Sequence, residues 1–274
     1  MGEYAVRIWA MRLVILIFAG TLAGCSTFHP SPAIVSERSA PQQPVAQPGA
    51  PVAAQVSGKH DVGPRNFANA KKVLPAVFAG LEEDIYCGCR YIGTVVHPSS
   101  CDAKPRKNAM RAGRIEWEHV VPAWVIGHQR RCWKAGGRKD CTENDPVFQL
   151  AEGDLNNLVP AIGEINGDRN NFAYGVLSPE PSPMYGSCAT VVDFKAKSVQ
   201  PRPEVRGRLA RITLYMSHTY KLALSTKDKK LMCAWAKTYP VDHWERTRDQ
   251  RIVRWQGRGN PLVTDPGALK SACR

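Results

Sequence analysis

Three stretches of the chain place apolar residues at helical spacing. Over residues 66–83, Phe67, Ala70, Val73, Leu74, Val77, Phe78 and Leu81 fall on one face, with Pro75 as a bend. Over residues 205–224, Val205, Leu209, Ile212, Met216 and Tyr220 recur at intervals of four and three, opposite a basic face. This is the strongest helical signal, and its stripe reads as core. A third helix is predicted to begin near Asp242, where Asp242 and Glu245 have capping-box spacing and Trp244, Ile252 and Trp255 can dock it. Between these lie shorter elements. Residues 86–101 read as short strands and turns, 114–121 as a strand and 123–133 as a helix. Residues 134–146 (KAGGRKDCTENDP) read as loop, 157–160 as an extended piece, 161–173 as a helix and 174–190 as loop. The similar stretches EHVVPA (118–123) and NNLVPA (156–161) are both expected to be strand ends that turn into helices. The pattern predicts an α+β protein with a single mixed domain and a helix-rich C-terminal half.

The first 60 residues follow a different pattern. Residues 12–25 run from a basic residue through an apolar core to Leu-Ala-Gly-Cys. That run has the length of a signal-peptide core and is short for a membrane span. Its ending resembles a bacterial lipoprotein signal, which implies a lipid on Cys25; a plain secretory signal is the alternative, and Met11 is a second candidate start. Residues 26–58 are rich in Pro, Ala, Gln, Ser and Val, and Phe28 is their one aromatic residue. Such a segment buries too little apolar surface to offset its ordering entropy and reads as a tether. The expected division is therefore a signal at 1–24, a lipidated cysteine and Pro-rich tether at 25–59, and a folded domain at 60–274.

Charge narrows the partners. Formal net charge is +13, and losing Arg7, Arg12 and Glu3 with residues 1–24 leaves +12. A positive cleft attracts polyanions, of which nucleic acid is the commonest. Of nine cysteines, Cys25 is assigned to lipid, leaving Cys87, Cys89, Cys101, Cys132, Cys141, Cys188, Cys233 and Cys273. An even number in an exported chain predicts four disulfides, and the spacing does not suit a zinc knuckle. Cys87 and Cys89 are too close to bridge each other, whereas Cys132 and Cys141 can close a local loop. Pairing of the rest is not readable.

The candidate chemistry sits in two segments. Within GRIEWEHVVPA (113–123), strand alternation puts Glu116 and Glu118 on one face and Trp117 and His119 on the other. A carboxylate suits magnesium and a neutral imidazole suits proton abstraction, so Glu118 and His119 read as metal ligand and general base. A surface salt bridge beside a structural histidine is the competing reading. The second segment, GDLNNLVPAIGEINGDRNNF (153–172), uses asparagine, a poor helix former, inside an otherwise helical pattern. Asn166 and Asn170 lie one turn apart, and an asparagine oxygen is a neutral hard ligand. One glutamate and one asparagine would leave coordination positions open. Caps and turns are the alternative use of these residues.

Taken together the segments resemble the bacterial endonuclease I family, exported non-specific nucleases of the ββα-metal or His-Me finger class. RIEWEHVVPAW (114–124), GGRKDC (136–141), GDLNNLVPAIGEINGDRNNF, YCGC (86–89) and PVDHWERTRDQRIVRWQGRGNP (240–261) carry the resemblance, which covers most of the chain from about residue 66. It implies a disulfide-stapled domain built around a ββα-metal motif. His119 would be the general base, and Glu118 and Asn166 the ligands of one Mg2+, with Mn2+ or Ca2+ able to take its place. Arg138 would be the catalytic grip on the phosphate. Arg131 is the alternative for that grip and a substrate contact; Arg169 is a substrate contact or, with Asp168, a brace for the metal helix. The substrate would be DNA, and RNA through the same phosphate contacts, cut without base specificity to 5′-phosphate products. The protein is expected as a monomer in the periplasm or cell envelope, lipid-anchored or secreted. A non-catalytic surface protein for DNA capture or uptake is the competing function.

Overall fold

The structure, a computed structural model, describes residues 65–274; the expected signal, Cys25 and tether lie outside the described residues. In chain order the elements are α1 (Phe67–Phe78), β1 (Tyr91–Ile92), β2 (Val95–Val96), α2 (Ala109–Ala112), β3 (Ile115–His119), α3 (Ala123–Gly127), α4 (Arg131–Asn144), α5 (Pro146–Glu152), β4 (Leu158–Ile162), α6 (Gly163–Arg169), β5 (Ala173–Tyr174), β6 (Val191–Asp193), β7 (Ser198–Gln200), α7 (Arg206–Tyr220), α8 (Thr226–Thr238), α9 (His243–Gln256), α10 (Pro261–Thr264) and α11 (Pro266–Ala272). The α+β expectation holds, and every helix from α7 onward is in the C-terminal third. No helix among the described residues is long and apolar enough to cross a membrane.

The apolar stripes fold as their spacing requires. Asn66 caps α1 by accepting from the Asn69 amide at 2.9 Å, and Val73, Leu74, Val77 and Phe78 are buried. The helix stops at Phe78, short of the predicted residue 83, because the chain turns at Gly80 with φ of 72°. Leu209, Ile212 and Met216 of α7 are buried as predicted. Asp242 caps α9, accepting from the Glu245 amide at 2.8 Å. Two predictions fail in the middle of the chain. The helix expected over 123–133 is broken in two, and the loop expected over 134–146 is mostly α4. Gly136 and Gly137, which read as loop punctuation, instead kink α4; Gly137 takes φ of 69° and ψ of −152°. The predicted helix over 161–173 shortens to α6, ended by Asn170 at φ of 52°.

Strands β3 and β4 pair antiparallel, with Glu116 opposite Ala161, Glu118 opposite Val159 and His119 opposite Leu158. Pro160 lacks an N–H, but a two-stranded sheet has an outer edge where none is needed, and its carbonyl accepts from the Ile85 amide at 2.8 Å. Strand β4 runs straight into α6. The remaining strands form the β1–β2 pair and a three-stranded β5–β7–β6 sheet, in which β5 and β7 are parallel. Buried Asp84 organises the turn before β1, accepting from the amides of Tyr86, Cys87, Cys89 and Ile162. That turn delivers Tyr86 to the β3–β4 unit. All eight expected cysteines are paired: Cys87–Cys188, Cys89–Cys101, Cys132–Cys141 and Cys233–Cys273.

Candidate active site

Strand β3 ends abruptly, and Asn157 is the clip. Its backbone carbonyl accepts from the Val120 amide at 3.0 Å. Its side chain accepts from the Val121 amide at 2.8 Å and donates to the Val121 carbonyl at 2.9 Å. The chain bends at 120–121, and Pro122 stands at the N-cap position just before α3. Glu118 and His119, which alternate across the strand, therefore stand at its last two positions.

Glu118 is buried. Its Oε1 accepts from the Tyr86 hydroxyl at 2.7 Å and from Arg169 Nη1 at 2.9 Å; neither donor reaches Oε2. Burial pushes its pKa up, against the opposing pull of Arg169 and Tyr86. Arg169 is itself enclosed, and also donates to the carbonyls of His119 at 2.9 Å and Val120 at 2.6 Å. One guanidinium thus fixes the carboxylate and the end of the strand together. Of the two roles expected for Arg169, substrate contact or brace, its enclosure favours the brace. Its side chain is only 2% exposed and its terminal nitrogens are occupied, so it braces the site from within. Asp168, next to it, pairs with Arg106 at 2.7 Å.

Asn166 lies one turn earlier on α6. Its Nδ2 donates to Glu116 Oε2 at 3.3 Å, on the β3 face that Glu118 shares; it makes no hydrogen bond to Glu118 or His119 among the described residues. Glu116 in turn accepts from Arg111 and Arg114. Burial raises the Glu116 pKa, but these two arginines outweigh it and hold the carboxyl below its ordinary range. The close packing needs glycine at the start of α6. A Cβ at Gly163 would lie 2.7 Å from Glu116 Oε1 and 2.9 Å from the Arg111 carbonyl.

In donor chemistry these residues suit a divalent ion. Asn166 spends its amide nitrogen on Glu116 and its Oδ1 has no hydrogen bond among the described residues, and Glu118 has Oε2 beyond the reach of its two donors. A carboxylate oxygen and an amide oxygen are hard ligands suited to Mg2+. No cluster of three or more His, Cys, Asp or Glu residues that could hold a metal occurs among the described residues, and these two side chains alone would make a sparse donor set. Sparse coordination leaves room for water and phosphate.

His119 points the other way, against the ring of Phe67 at 4.6 Å. Its Nε2 lies 2.9 Å from the Glu152 carbonyl oxygen. A carbonyl only accepts, so Nε2 carries the proton of the neutral ring and Nδ1 keeps its lone pair. Burial, then the positive charges of Arg138 and Arg169, lower its pKa to about 3. The imidazole is therefore neutral at physiological pH. Glu152 also joins His119 to Arg138: its Oε1 accepts from Arg138 Nε at 2.6 Å. Arg138 is 47% exposed, and its two terminal nitrogens carry no hydrogen bond among the described residues. Arg131, at the start of α4, is exposed and has no hydrogen bond or ion pair among the described residues.

Three contributors were not singled out from the sequence: Glu152, which links His119 and Arg138, and Tyr86 and Tyr174, whose hydroxyls meet at 3.1 Å beside Glu118. Tyr86 was within reach, because it opens the YCGC motif. Glu152 carried a weaker signal, an acidic residue beside the Gly-Asp that begins the asparagine-rich stretch.

Residues 79–267 match the family model described as Endonuclease I. The chain is 47% identical over 204 residues to an extracellular deoxyribonuclease of Aeromonas hydrophila, covering 73% of this chain and 88% of that protein. It is 45% identical to a periplasmic deoxyribonuclease of the same organism, over 73% of this chain and 85% of the relative. It is 46% identical to Endonuclease-1 of Buchnera aphidicola, over 72% of this chain and 80% of the relative.

Proposed function

The chain belongs to the endonuclease I family and is an endonuclease, a phosphodiester hydrolase; from that premise we propose that it cuts DNA, and RNA through the same phosphate contacts, at one centre built on His119, Glu118, Asn166 and Arg138. Nδ1 of neutral His119 takes a proton from the attacking water as the water oxygen bonds to phosphorus. The bond from phosphorus to the 3′-oxygen breaks, that oxygen takes a proton from solvent, and a 5′-phosphate end remains. General-base assistance of this kind is worth roughly 10²–10⁴ in rate. Arg138, half exposed, offers its free terminal nitrogens to the phosphate as paired donors. Glu118 and Asn166 would hold one Mg2+, which when bound supplies positive charge where the transition state becomes negative.

The observation that carries this reading is Glu152, whose backbone holds the base and whose carboxylate holds the phosphate-gripping arginine. Contacts to phosphate rather than to base edges account for cutting without sequence preference. The relatives are named as extracellular or periplasmic enzymes, and we place this one in the periplasm or envelope, as a monomer. A lipid on Cys25 rests on the Leu-Ala-Gly-Cys motif alone, and mass analysis of the mature N-terminus decides it. The test of function is supercoiled plasmid incubated with oxidised protein and Mg2+, with and without chelator. Wild type should cut and the chelated sample should not; His119→Ala should bind plasmid and leave it intact. Cutting by His119→Ala at the wild-type rate would remove the proposed base.

A further inference from the structure

Outside the catalytic centre, α3 and the start of α4 carry a feature that the cleavage chemistry does not use. Trp124 is 45% exposed, unusual for a tryptophan. Its ring stacks on the His128 ring with centroids 4.0 Å apart and planes 7° from parallel. His128 is fixed in this pose because its Nδ1 lies 2.9 Å from the Trp124 carbonyl oxygen. The pair is thus a rigid aromatic plate with a face open to solvent.

Positive charge gathers on the His128 side of the pair. His128 lines an open cavity of about 420 Å³ together with Arg130, Arg131 and Lys221. Arg130 is neutralised by Asp145 at 2.6 Å, but Arg131 and Lys221 have no hydrogen bond or ion pair through their side chains among the described residues. Lys221 sits at φ of 54° in the left-handed region, a position that ordinarily favours glycine. In sequence this surface adjoins the catalytic centre, with the Gly136–Gly137 kink between Arg131 and Arg138. Arg131 and Arg138 lie on the same helix, α4, and α3 follows β3 after a bend of three residues.

We propose that Trp124 and His128, with Arg131 and Lys221, form a subsite for an unpaired nucleotide flanking the cut, its base stacked on the tryptophan plate and its phosphate held by the two cations. Stacking on an aromatic face tolerates any base but needs the base unpaired, so the subsite favours single strands over duplex. It rests on the reading of the protein as a nuclease and adds a substrate preference to it.

The test titrates the full, oxidised protein with a fluorescent single-stranded oligonucleotide and with the matching duplex, in chelator so that neither is cut. Trp124→Ala should weaken single-strand binding about tenfold and so lower the single-strand-to-duplex affinity ratio by about that factor. Trp124→Phe should keep most of the ratio and controls for folding. Arg131→Ala should weaken both ligands and flatten the slope of log affinity against log salt by about 0.7–0.9. A ratio unchanged in Trp124→Ala overturns the inference. So does an unchanged oligonucleotide affinity together with lost binding of Trp124→Ala to phosphatidylglycerol vesicles, titrated in parallel, which would make the plate a lipid contact. Plasmid cutting by the unaltered protein is read in parallel: its absence would sink the nuclease reading, while the affinity ratio reports on the subsite alone.

Discussion

Arg169 and Glu118 meet at 2.9 Å with only 2% and 4% of their side chains exposed. A buried pair contributes little net stability compared with an apolar replacement, but removing one partner strands the other charge. Arg169→Ala should therefore lower stability by about 3–5 kcal/mol in urea unfolding. The double variant Arg169→Met/Glu118→Gln should lose clearly less than Arg169→Ala alone, because no bare charge stays behind. Equal losses in the two proteins would mean that the guanidinium matters through its bonds to the His119 and Val120 carbonyls rather than through Glu118.

Glu152 makes a different kind of prediction, because its backbone and its carboxylate serve separate partners. Glu152→Gln keeps the carbonyl that holds His119 and loses the charge that holds Arg138. Arg138→Ala should reduce kcat/KM by about 10²–10³, as expected for removal of a donor to the reacting phosphate. Glu152→Gln should reduce it less, and the double variant should be no worse than Arg138→Ala alone, since both remove one function. Multiplying losses in the double variant would show that the carboxylate acts on His119 as well.

The β3–β4–α6 unit was legible because local rules and tertiary contacts agree there. Alternation in Ile115–His119 matches a strand, and Pro122 falls where the run must stop. What holds the ends together was not legible. Asp84 reaches the Ile162 amide across a sequence separation of 78, and Arg169 reaches the Glu118 carboxylate across 51. Such partners follow no periodicity. Helix α4 was lost for another reason. Gly136 and Gly137 look like a loop by propensity, yet the helix resumes beyond them and the Cys132–Cys141 bridge spans the kink. The choice between the two roles of Arg169 was not legible either, because a charged residue near an asparagine cluster suggests solvent, and only packing shows that it is enclosed.

The bridges should differ in what they protect. In the chain-entropy account, Cys87–Cys188, separated by 101 residues, contributes about 4–5 kcal/mol, and Cys132–Cys141, separated by 9, about 2–3 kcal/mol. Paired serine substitutions at Cys87 and Cys188 should therefore lower Tm more than those at Cys132 and Cys141. Activity should follow the opposite order at a temperature where both variants are folded. The short bridge encloses the kink and Arg138, so its loss frees the side chain proposed to grip the phosphate. Activity falling in step with Tm in both variants would argue against that local role.

Asp154 sets the expected response to acid. It is fully buried and gathers Tyr215 at 3.0 Å, Tyr220 at 2.6 Å, Gln256 at 3.0 Å and Arg258 at 3.3 Å, tying the entry to β4 to α7 and α9. Burial alone would raise its pKa, but hydrogen bonds from Tyr220 and Gln256 outweigh that and hold it below the ordinary aspartate value. An unfolded aspartate titrates near about 3.9. A carboxyl depressed in the folded state stabilises above that value, and the contribution disappears as pH falls through the folded pKa. The melting temperature should thus decline steeply once pH drops below about 4. Asp154→Asn should cost about 1–3 kcal/mol at neutral pH, because an amide presents a donor where two tyrosine hydroxyls also donate. It should also flatten the acid limb of a Tm-against-pH curve. An acid limb as steep as that of the wild type would assign the lability to other carboxylates.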